Sequence, residues 1–291
     1  MTRREIDARM RRLPPLRRAR FWRLYAEDGR RFLDLAQDGG RGILGARSKG
    51  LGSAIKAALD RGLDRPLPSR LEARLVKAAM ALWPKARAAR LYLGEKDALA
   101  SIAGITGSAL PTGAGLLDVD FILDPARTGY ANEEPPPSLA FILRPFAKWL
   151  PSPKGGEIAL PLLPLARGLG PTVVLFADPS MAEKAAPSDL IPPLLLASAL
   201  DGLSALADYE AKAREEDWLR MDRRSSALFE RRGPWLYPRG SGAEYDRIFD
   251  AALAKGLLIS PDPDLPSIVP GDFDDGEIAP LASLANTIDS P

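Results

Sequence analysis

The sequence contains neither cysteine nor histidine. Without cysteine it can form no disulfide, no thiolate nucleophile and no cysteine-based zinc site. Without histidine it lacks the commonest general base at neutral pH, which excludes Ser-His-Asp hydrolases and zinc proteases of the HExxH type. Any proton transfer would depend on Asp, Glu, Lys or Tyr. No metal site is expected.

Long apolar runs are also absent. The nearest candidate, residues 191–207, is interrupted by Pro192, Pro193 and Asp201, and a bilayer span needs ~20 apolar residues. No apolar segment follows the basic N-terminus, so no secretory signal is expected. The 291 residues, 46% of them hydrophobic and 27% charged, are typical of a globular protein of one large or two smaller domains. We expect a cytoplasmic location and no membrane association.

Charge is spread unevenly along the chain. Residues 1–24 hold nine arginines and two acidic residues, whereas the region after Lys255 holds seven acidic residues and no basic one. A basic arm of this kind is typical of binding to nucleic acid or another anionic partner. The alternative, which we favour, is that the arm meets the acidic C-terminal region, because the two ends are opposite in sign.

Apolar periodicity predicts an α/β fold with a mostly parallel sheet, because segments typical of strands and helices alternate. A hairpin is expected between Leu16 and Leu35, with its turn at Asp28-Gly29. Residues 129–156 are rich in Pro and Gly, which predicts an irregular excursion. Further strands are predicted at residues 90–93, 116–123, 172–177, 233–237 and 257–260, and helices at residues 51–63, 71–82, 97–105, 141–150, 194–228 and 243–254.

Several short motifs follow one another in a recognisable order. The central one is LARGLG at residues 165–170, directly before a predicted strand. The others are RLYAEDGRRFLDL at 23–35, LYLGEKDA at 91–98, VDFILDPARTG at 119–129, SDLIPPL at 188–194 and LAKGLLI at 253–259. Together they resemble the motifs of class III aminotransferases, the fold-type-I enzymes that use pyridoxal phosphate (PLP).

The resemblance implies a shortened PLP-dependent transferase-like fold. It implies a large domain of residues 50–209 and a smaller α+β domain built from residues 1–49 together with residues 210–291. It also implies a dimer, formed either by two copies or with a related subunit. In the family, a lysine in the central motif forms the Schiff base with the cofactor, and Arg167 occupies that position here.

Other positions that the resemblance assigns to the cofactor also differ. Gly94 precedes the helix whose N-terminus holds the phosphate in the family, but Glu95 replaces the small hydroxyl residue there, and a carboxylate repels phosphate. Residues 99–115 include no aromatic residue to stack on the ring. The aspartate that pairs with the pyridinium nitrogen falls on Val119 or, with a shift of one residue, on Asp120.

Two further points concern that aspartate and the partner's phosphate. Asp118 and Asp120 are equally compatible with solvent-facing carboxylates at a strand end. Ser188 falls where a threonine of the family contacts the phosphate of the partner subunit's cofactor, although Leu190 and Ile191 replace the glycines of that loop. Candidates for a vestigial pocket are therefore Gly94, Asp120, Arg167 and Ser188.

These departures predict a catalytically degenerate aminotransferase-like protein, a binding or scaffolding subunit with no catalytic residue and no cofactor. An arginine keeps its proton at neutral pH and cannot form an imine as a neutral lysine amine does. One alternative is an active PLP-dependent aminotransferase that uses Lys154, since Lys154-Gly155 is also a Lys-Gly pair; otherwise Lys154 is an exposed loop residue. A second alternative is binding of nucleic acid or an anionic partner through the basic arm.

Overall fold

The computed structural model describes residues 3–46, 50–116, 119–130, 135–239 and 242–284. The helices in these ranges are α1 (Arg3–Met10), α2 (Leu51–Leu59), α3 (Arg70–Met80), α4 (Glu95–Thr106), α5 (Pro179–Lys184), α6 (Pro193–Lys212), α7 (Glu215–Ser225), α8 (Gly242–Ala254) and α9 (Asp275–Leu284). The strands are β1 (Leu16–Arg20), β2 (Arg23–Ala26), β3 (Arg31–Asp34), β4 (Ala88–Tyr92), β5 (Ile122–Leu123), β6 (Ala140–Leu143), β7 (Ile158–Pro161), β8 (Thr172–Phe176), β9 (Phe229–Arg232), β10 (Trp235–Pro238), β11 (Leu257–Leu258) and β12 (Ser267–Ile268). None of the described helices combines the length and the apolar character that a bilayer crossing requires.

The largest sheet has five strands in the order β4-β8-β7-β6-β5. Strands β5, β6 and β7 pair in parallel, whereas β8 is antiparallel to both of its neighbours, β7 and β4. Four of the five strands therefore run in one direction and end at the same edge. The expected α/β fold is confirmed as a mixed sheet with one reversed strand.

Helices cover both faces of this sheet. On one face, Leu75 of α3 and Leu203 of α6 belong to the same buried cluster as Val173 of β8. On the other face, Leu99 and Ile102 of α4 are fully buried. Because the inner strands β6, β7 and β8 are mostly buried between these helices, their sequences are nearly continuous apolar runs, whereas the edge strand β4 is only partly buried and contains Arg90.

The two ends of the chain meet in a second sheet, of order β1-β2-β3-β11. Strand β11 pairs in parallel with β3, so that Leu257 lies beside Leu33 and Leu258 beside Asp34. The third sheet, β12-β10-β9, packs into the same hydrophobic core as this second sheet. The five-stranded sheet thus lies within residues 50–209, while the other two sheets use residues on either side of that range; the domain boundaries remain a prediction.

Some predicted elements are wrong. The helix expected at residues 141–150 is strand β6 followed by a short 3₁₀ turn at Ala147–Trp149. A short apolar run fits a buried strand as well as a helix, and periodicity alone does not separate the two. The strand expected at 116–123 is reduced to β5, with residues 117–118 outside the described ranges. Strands β1, β7, β9 and β12 are additional to the prediction.

Candidate functional site

Four charged residues follow the strands that end at one edge of the five-stranded sheet. Asp124 directly follows β5, Arg144 directly follows β6, and short connections lead from β4 to Glu95 and from β7 to Arg167. Because parallel strands end at a common edge, the side chains that follow them converge there. In open α/β sheets, ligands bind at this edge.

Asp124 and Arg144 form a buried ion pair at this edge. Their side chains are each 3% exposed. Arg144 Nε donates to Asp124 Oδ1 at 2.9 Å, a second bond joins Arg144 Nη2 to Asp124 Oδ2, and Arg144 Nη1 donates to the carbonyl of Gly39. The bidentate geometry compensates both charges. The pair therefore connects the sheet to the loop at Gly39 and leaves no uncompensated charge for a ligand.

Glu95, the first residue of α4, lies between two arginines. Its Oε1 atom is 2.5 Å from Arg41 Nη2, and its Oε2 atom is 3.9 Å from Arg167 Nη1. Arg167 Nε is also 4.0 Å from Asp38 Oδ2. Unsatisfied N–H groups and the helix dipole favour an anion at a helix N-terminus, and Gly94 supplies no side-chain cap. The carboxylate of Glu95 provides that anion from the chain itself.

A cavity of about 470 Å³ opens beside Arg167. Its walls are mostly apolar and come from α1, β1, β2 and β11, while Asp7, Asp34 and Asp38 also face it. A smaller cavity of about 100 Å³ shares Asp38 and Arg167 with the first and is also lined by Arg41 and Arg144. The converging charges and the apolar cavity therefore form one continuous candidate site, which we call the edge site.

Asp34 is the most perturbed carboxylate of the edge site. Its Oδ1 atom accepts hydrogen bonds from the backbone N–H groups of Ala36 at 3.0 Å and Gln37 at 2.9 Å. Burial raises the pKa of Asp34 to about 6, against the lowering effect of these two hydrogen bonds. Gln37 and Asp38 follow with φ of +44° and +43°, a left-handed conformation that is uncommon outside glycine. This turn brings Asp34 and Asp38 to the same cavity.

The sequence-derived candidates divide into two groups. Arg167 lines both cavities and Gly94 directly precedes Glu95 at the edge site, whereas Asp120 and Ser188 line neither cavity. Asp120 is exposed and precedes β5, which β6 separates from β7. Ser188 Oγ accepts a hydrogen bond from the backbone N–H of Leu91 at 3.1 Å, which ties its loop to β4. Val119 is buried among apolar side chains, and Asp118 lies outside the described residues.

Lys154 lies at the opposite edge of the sheet. Its carbonyl accepts the backbone N–H of Ser138 at 3.1 Å, just before β6 and β7 begin, whereas Arg167 comes after β7 ends. The four residues of β7 alone span about 13 Å. Within the described part of the chain, no lysine lines either cavity.

Sequence reasoning did not identify two features of the edge site. The first is Arg144, which directly follows β6, the strand next to β7; the motif at 119–129 had instead placed an aspartate at residue 119 or 120, before β5. The second is the half-buried carboxylate of Asp34. Each of Asp124 and Arg144 ends a buried apolar run with a charge, and that abrupt change was the available signal.

No family model matches the chain. Two curated relatives are described as uncharacterized proteins. The one from Borreliella burgdorferi is 27% identical over 271 residues, which cover 91% of this chain and 88% of the relative. The one from Treponema pallidum is 27% identical over 285 residues, which cover 90% of each chain.

Similar solved structures are aminotransferases. The N-acetylornithine aminotransferase of Stenotrophomonas maltophilia has a TM-score of 0.61 at 17% identity and covers 96% of this chain and 95% of its own. The ornithine aminotransferase of Plasmodium yoelii has a TM-score of 0.66 at 12% identity, with 95% and 94% covered. A transaminase with PLP bound has a TM-score of 0.66 at 12% identity, with 95% and 90% covered. The resemblance to class III aminotransferases is thus confirmed at the level of the fold.

The residues of the edge site do not match what PLP requires. A Schiff base needs a lysine amine, and Arg167 stands where the central motif would supply it. A phosphate at the N-terminus of α4 would meet the carboxylate of Glu95, which Arg41 holds at 2.5 Å. PLP therefore finds neither an amine nor an open anion position among the described residues that line the site.

Proposed function

We propose that this protein, which has the fold of PLP-dependent aminotransferases, is a catalytically degenerate binding or scaffolding subunit that forms no Schiff base. The observation that carries the proposal is the ion-pair cluster of Glu95, Arg41 and Arg167. Arg167 offers a charged guanidinium in place of an amine, and it is paired with acidic groups of the chain itself. The edge site thus lies where the cofactor pocket is expected but lacks the amine that would form a Schiff base.

Glu95 disfavours phosphate binding by simple electrostatics. Two like unit charges 4 Å apart repel by about 4 kcal/mol at an effective dielectric constant of 20. That energy corresponds to a loss of affinity of about a thousandfold. The partnership with Arg41 holds the carboxylate in place, since rotating it away would leave the largely buried Arg41 side chain, 14% exposed, without its partner.

Titration of the purified full-length protein with PLP tests the proposal. We expect no stoichiometric absorbance band of a protein-bound aldimine, and no single lysine labelled after borohydride reduction and peptide mapping. The opposite result would contradict the proposal: a stoichiometric aldimine band, with PLP fixed to one lysine by borohydride reduction. If that lysine is Lys154, the variant Lys154→Arg must lose the band, and the active-aminotransferase alternative is then correct.

A pair of substitutions provides the matched control. Arg167→Lys restores an amine but leaves Glu95 in place, whereas Glu95→Ser removes the repelling carboxylate but leaves no amine. We expect the double variant to bind PLP at least about tenfold more tightly than Arg167→Lys, because 1.4 kcal/mol is a small part of the repulsion removed. Equal PLP affinity in wild type and Glu95→Ser would contradict the role given to Glu95.

We propose that the partner of this subunit is a second copy of the chain. Leu93, Leu169 and Leu190 are 49%, 37% and 47% exposed, and all three lie in connections around the ends of β4 and β7. Leu93 and Leu190 flank the hydrogen bond that the backbone N–H of Leu93 donates to Asp189 Oδ2 at 2.8 Å. Exposed apolar side chains grouped in this way mark interaction surfaces. A related subunit in place of the second copy is the other outcome of the test given below.

A further inference from the structure

We propose that the 470 Å³ cavity of the edge site binds an apolar molecule that carries an ammonium group. The proposal deepens the binding role given above and rests on it. It names the chemical class of the ligand and the side chain that recognises it, Asp34.

The charges around the cavity favour a cation. Among the described residues that line it, three are aspartates, Asp7, Asp34 and Asp38, and one is an arginine, Arg167, which gives an excess of two negative charges. Arg167 is itself compensated, because its nitrogens lie 4.0 Å from Asp38 and 3.9 Å from Glu95. An anionic ligand would meet this excess of negative charge, and a cationic ligand would reduce it.

Asp34 is placed to hold the ammonium group. Its Oδ1 atom accepts two backbone N–H groups, while no described residue donates a hydrogen bond to its Oδ2 atom. Asp34 is half-buried, and even partial removal of a carboxylate from water without a counter-charge is costly, which is why burial raises the pKa of Asp34 to about 6. An ammonium group donates hydrogen bonds and supplies the missing positive charge.

The apolar walls of the cavity indicate that the ligand carries an apolar group next to its ammonium group. They are formed by Ile6 and Met10 of α1, Leu16 of β1, Leu24 of β2, Leu258 of β11 and the loop residue Leu116. Both the volume and the mixture of apolar walls with a few polar groups are usual for small-molecule sites. A wholly polar cation would make no apolar contact with these walls, and a neutral apolar molecule would leave the Asp34 carboxylate without a counter-charge.

Helix α1 is a fixed wall of the cavity. Arg9 Nε donates to Asp246 Oδ1 at 2.8 Å, and Arg9 Nη1 donates to the carbonyl of Pro261 at 2.8 Å. Arg9 is buried, so these contacts anchor α1 against the C-terminal part of the chain. Binding must therefore be measured on the full chain.

Calorimetric titration of the PLP-free full chain with N,N-dimethylhexylamine, hexan-1-ol and hexanoate tests the proposal. The tertiary amine keeps an N–H donor when protonated but cannot form a Schiff base, so binding is separated from transamination chemistry. At about pH 8 we expect the amine to bind at least tenfold more tightly than the alcohol, and hexanoate to give no binding. We expect the advantage over the alcohol to shrink as the pH falls through about 6, because Asp34 is then protonated; Asp7, Asp38 and Arg167 are the other charges that face it.

Asp34→Asn is the decisive variant, because an asparagine Oδ1 can accept the same two backbone N–H groups without the charge. We expect it to weaken amine binding at least tenfold, while the matched exposed substitution Asp60→Asn leaves binding unchanged. Equal affinities for amine and alcohol, or unchanged binding in Asp34→Asn, would overturn the proposal. Met10→Trp, which fills the cavity, is a second variant that must also abolish binding.

The two proposals fail in different ways. A borohydride-trapped aldimine would contradict the proposal that the protein forms no Schiff base, and it would leave the measured amine affinity unchanged. Absence of amine binding with no aldimine would remove the ligand assignment alone.

Discussion

At the scale of single residues, Asp34 has a measurable energetic signature. Its pKa in the folded protein, about 6, lies above the ordinary value of about 3.9. The folded state therefore binds this proton more tightly than the unfolded state. The stability that protonation contributes is fully present below about pH 4 and is lost as the pH rises through about 6.

Asp34→Asn should therefore stabilise the protein near neutral pH. Because asparagine is uncharged at every pH, we expect a gain of about 1–3 kcal/mol at pH 7.5 that disappears near pH 4. Urea unfolding at both pH values, with Asp60→Asn as the control, measures it. A gain that is the same at both pH values would show that the charge of Asp34 is not the cause.

The buried pair of Asp124 and Arg144 gives a second prediction at this scale. Arg144→Ala leaves the Asp124 carboxylate buried without its counter-charge, so we expect a loss of about 3–5 kcal/mol in the free energy of unfolding. The double variant Asp124→Leu/Arg144→Met removes both charges and should be clearly more stable than Arg144→Ala. Urea unfolding compares the two; a double variant no more stable than the single one would contradict this account.

The sequence alone predicts Arg167 but not its surroundings. The motif at 165–170 identified the residue and its consequence for imine formation. Its neighbours Glu95 and Asp38 come from distant parts of the chain, and only the order of the strands brings them together. For the same reason the pKa of Asp34, which depends on the tertiary packing around it, including its pairing with Leu258 of β11, has no local sequence signal.

At the scale of elements, the basic N-terminal arm is built into the fold. Arg9 pairs with Asp246, Arg12 with Asp250, and Arg23 with Asp272 and Glu277. The arm thus meets acidic residues of the C-terminal part, and β1 forms the edge of a sheet. Charged side chains on an edge strand protect it from pairing with other chains, which gives the arginines of β1 a role without any nucleic acid.

The alternative of nucleic-acid binding remains testable through β1. Arg17, Arg18 and Arg20 lie on this strand, with Arg18 over the ring of Tyr25 and Arg20 over that of Phe21. We expect only weak binding to DNA or RNA by fluorescence anisotropy, and little change in the variant Arg17→Ala/Arg18→Ala/Arg20→Ala. Tight binding that falls steeply with salt and is lost in this variant would instead support the alternative.

Element types were predictable where the apolar pattern was long. The helical spacing at 71–82 corresponds to α3, and the apolar run at 172–177 to β8. Residues 141–143 were assigned to the helix predicted at 141–150 because so short an apolar run fits either structure, and only burial between β5 and β7 decides for a strand.

At the scale of the whole molecule, the fold was predictable because the order of the short motifs along the chain indicates the topology, even though each motif alone is weak evidence. The similar aminotransferase structures cover most of the chain. The details of the edge site were less accessible, since they depend on which side chains replace the expected ones and on how those side chains pair.

Self-association is the prediction that belongs to this scale. We expect the wild type to be dimeric by size-exclusion chromatography with light scattering, and Leu93→Glu/Leu190→Glu to be monomeric and folded. Leu59→Glu, at a leucine of α2 that is 51% exposed, is the matched control and should remain dimeric. A monomeric wild type would point to a related subunit as the partner, and a dimeric double variant would place the interface elsewhere.

The parallel pairing of β11 with β3 has a consequence for synthesis on the ribosome. Leu258 and Asp34 are neighbours in that pairing and both line the cavity, although most of the chain separates them in sequence. Until Leu257 and Leu258 emerge, β3 lacks its partner and the cavity lacks a wall, whereas the strands of the five-stranded sheet have already been made. Ligand binding is therefore acquired late in translation, and only a chain that has been made at least as far as β11 can acquire it.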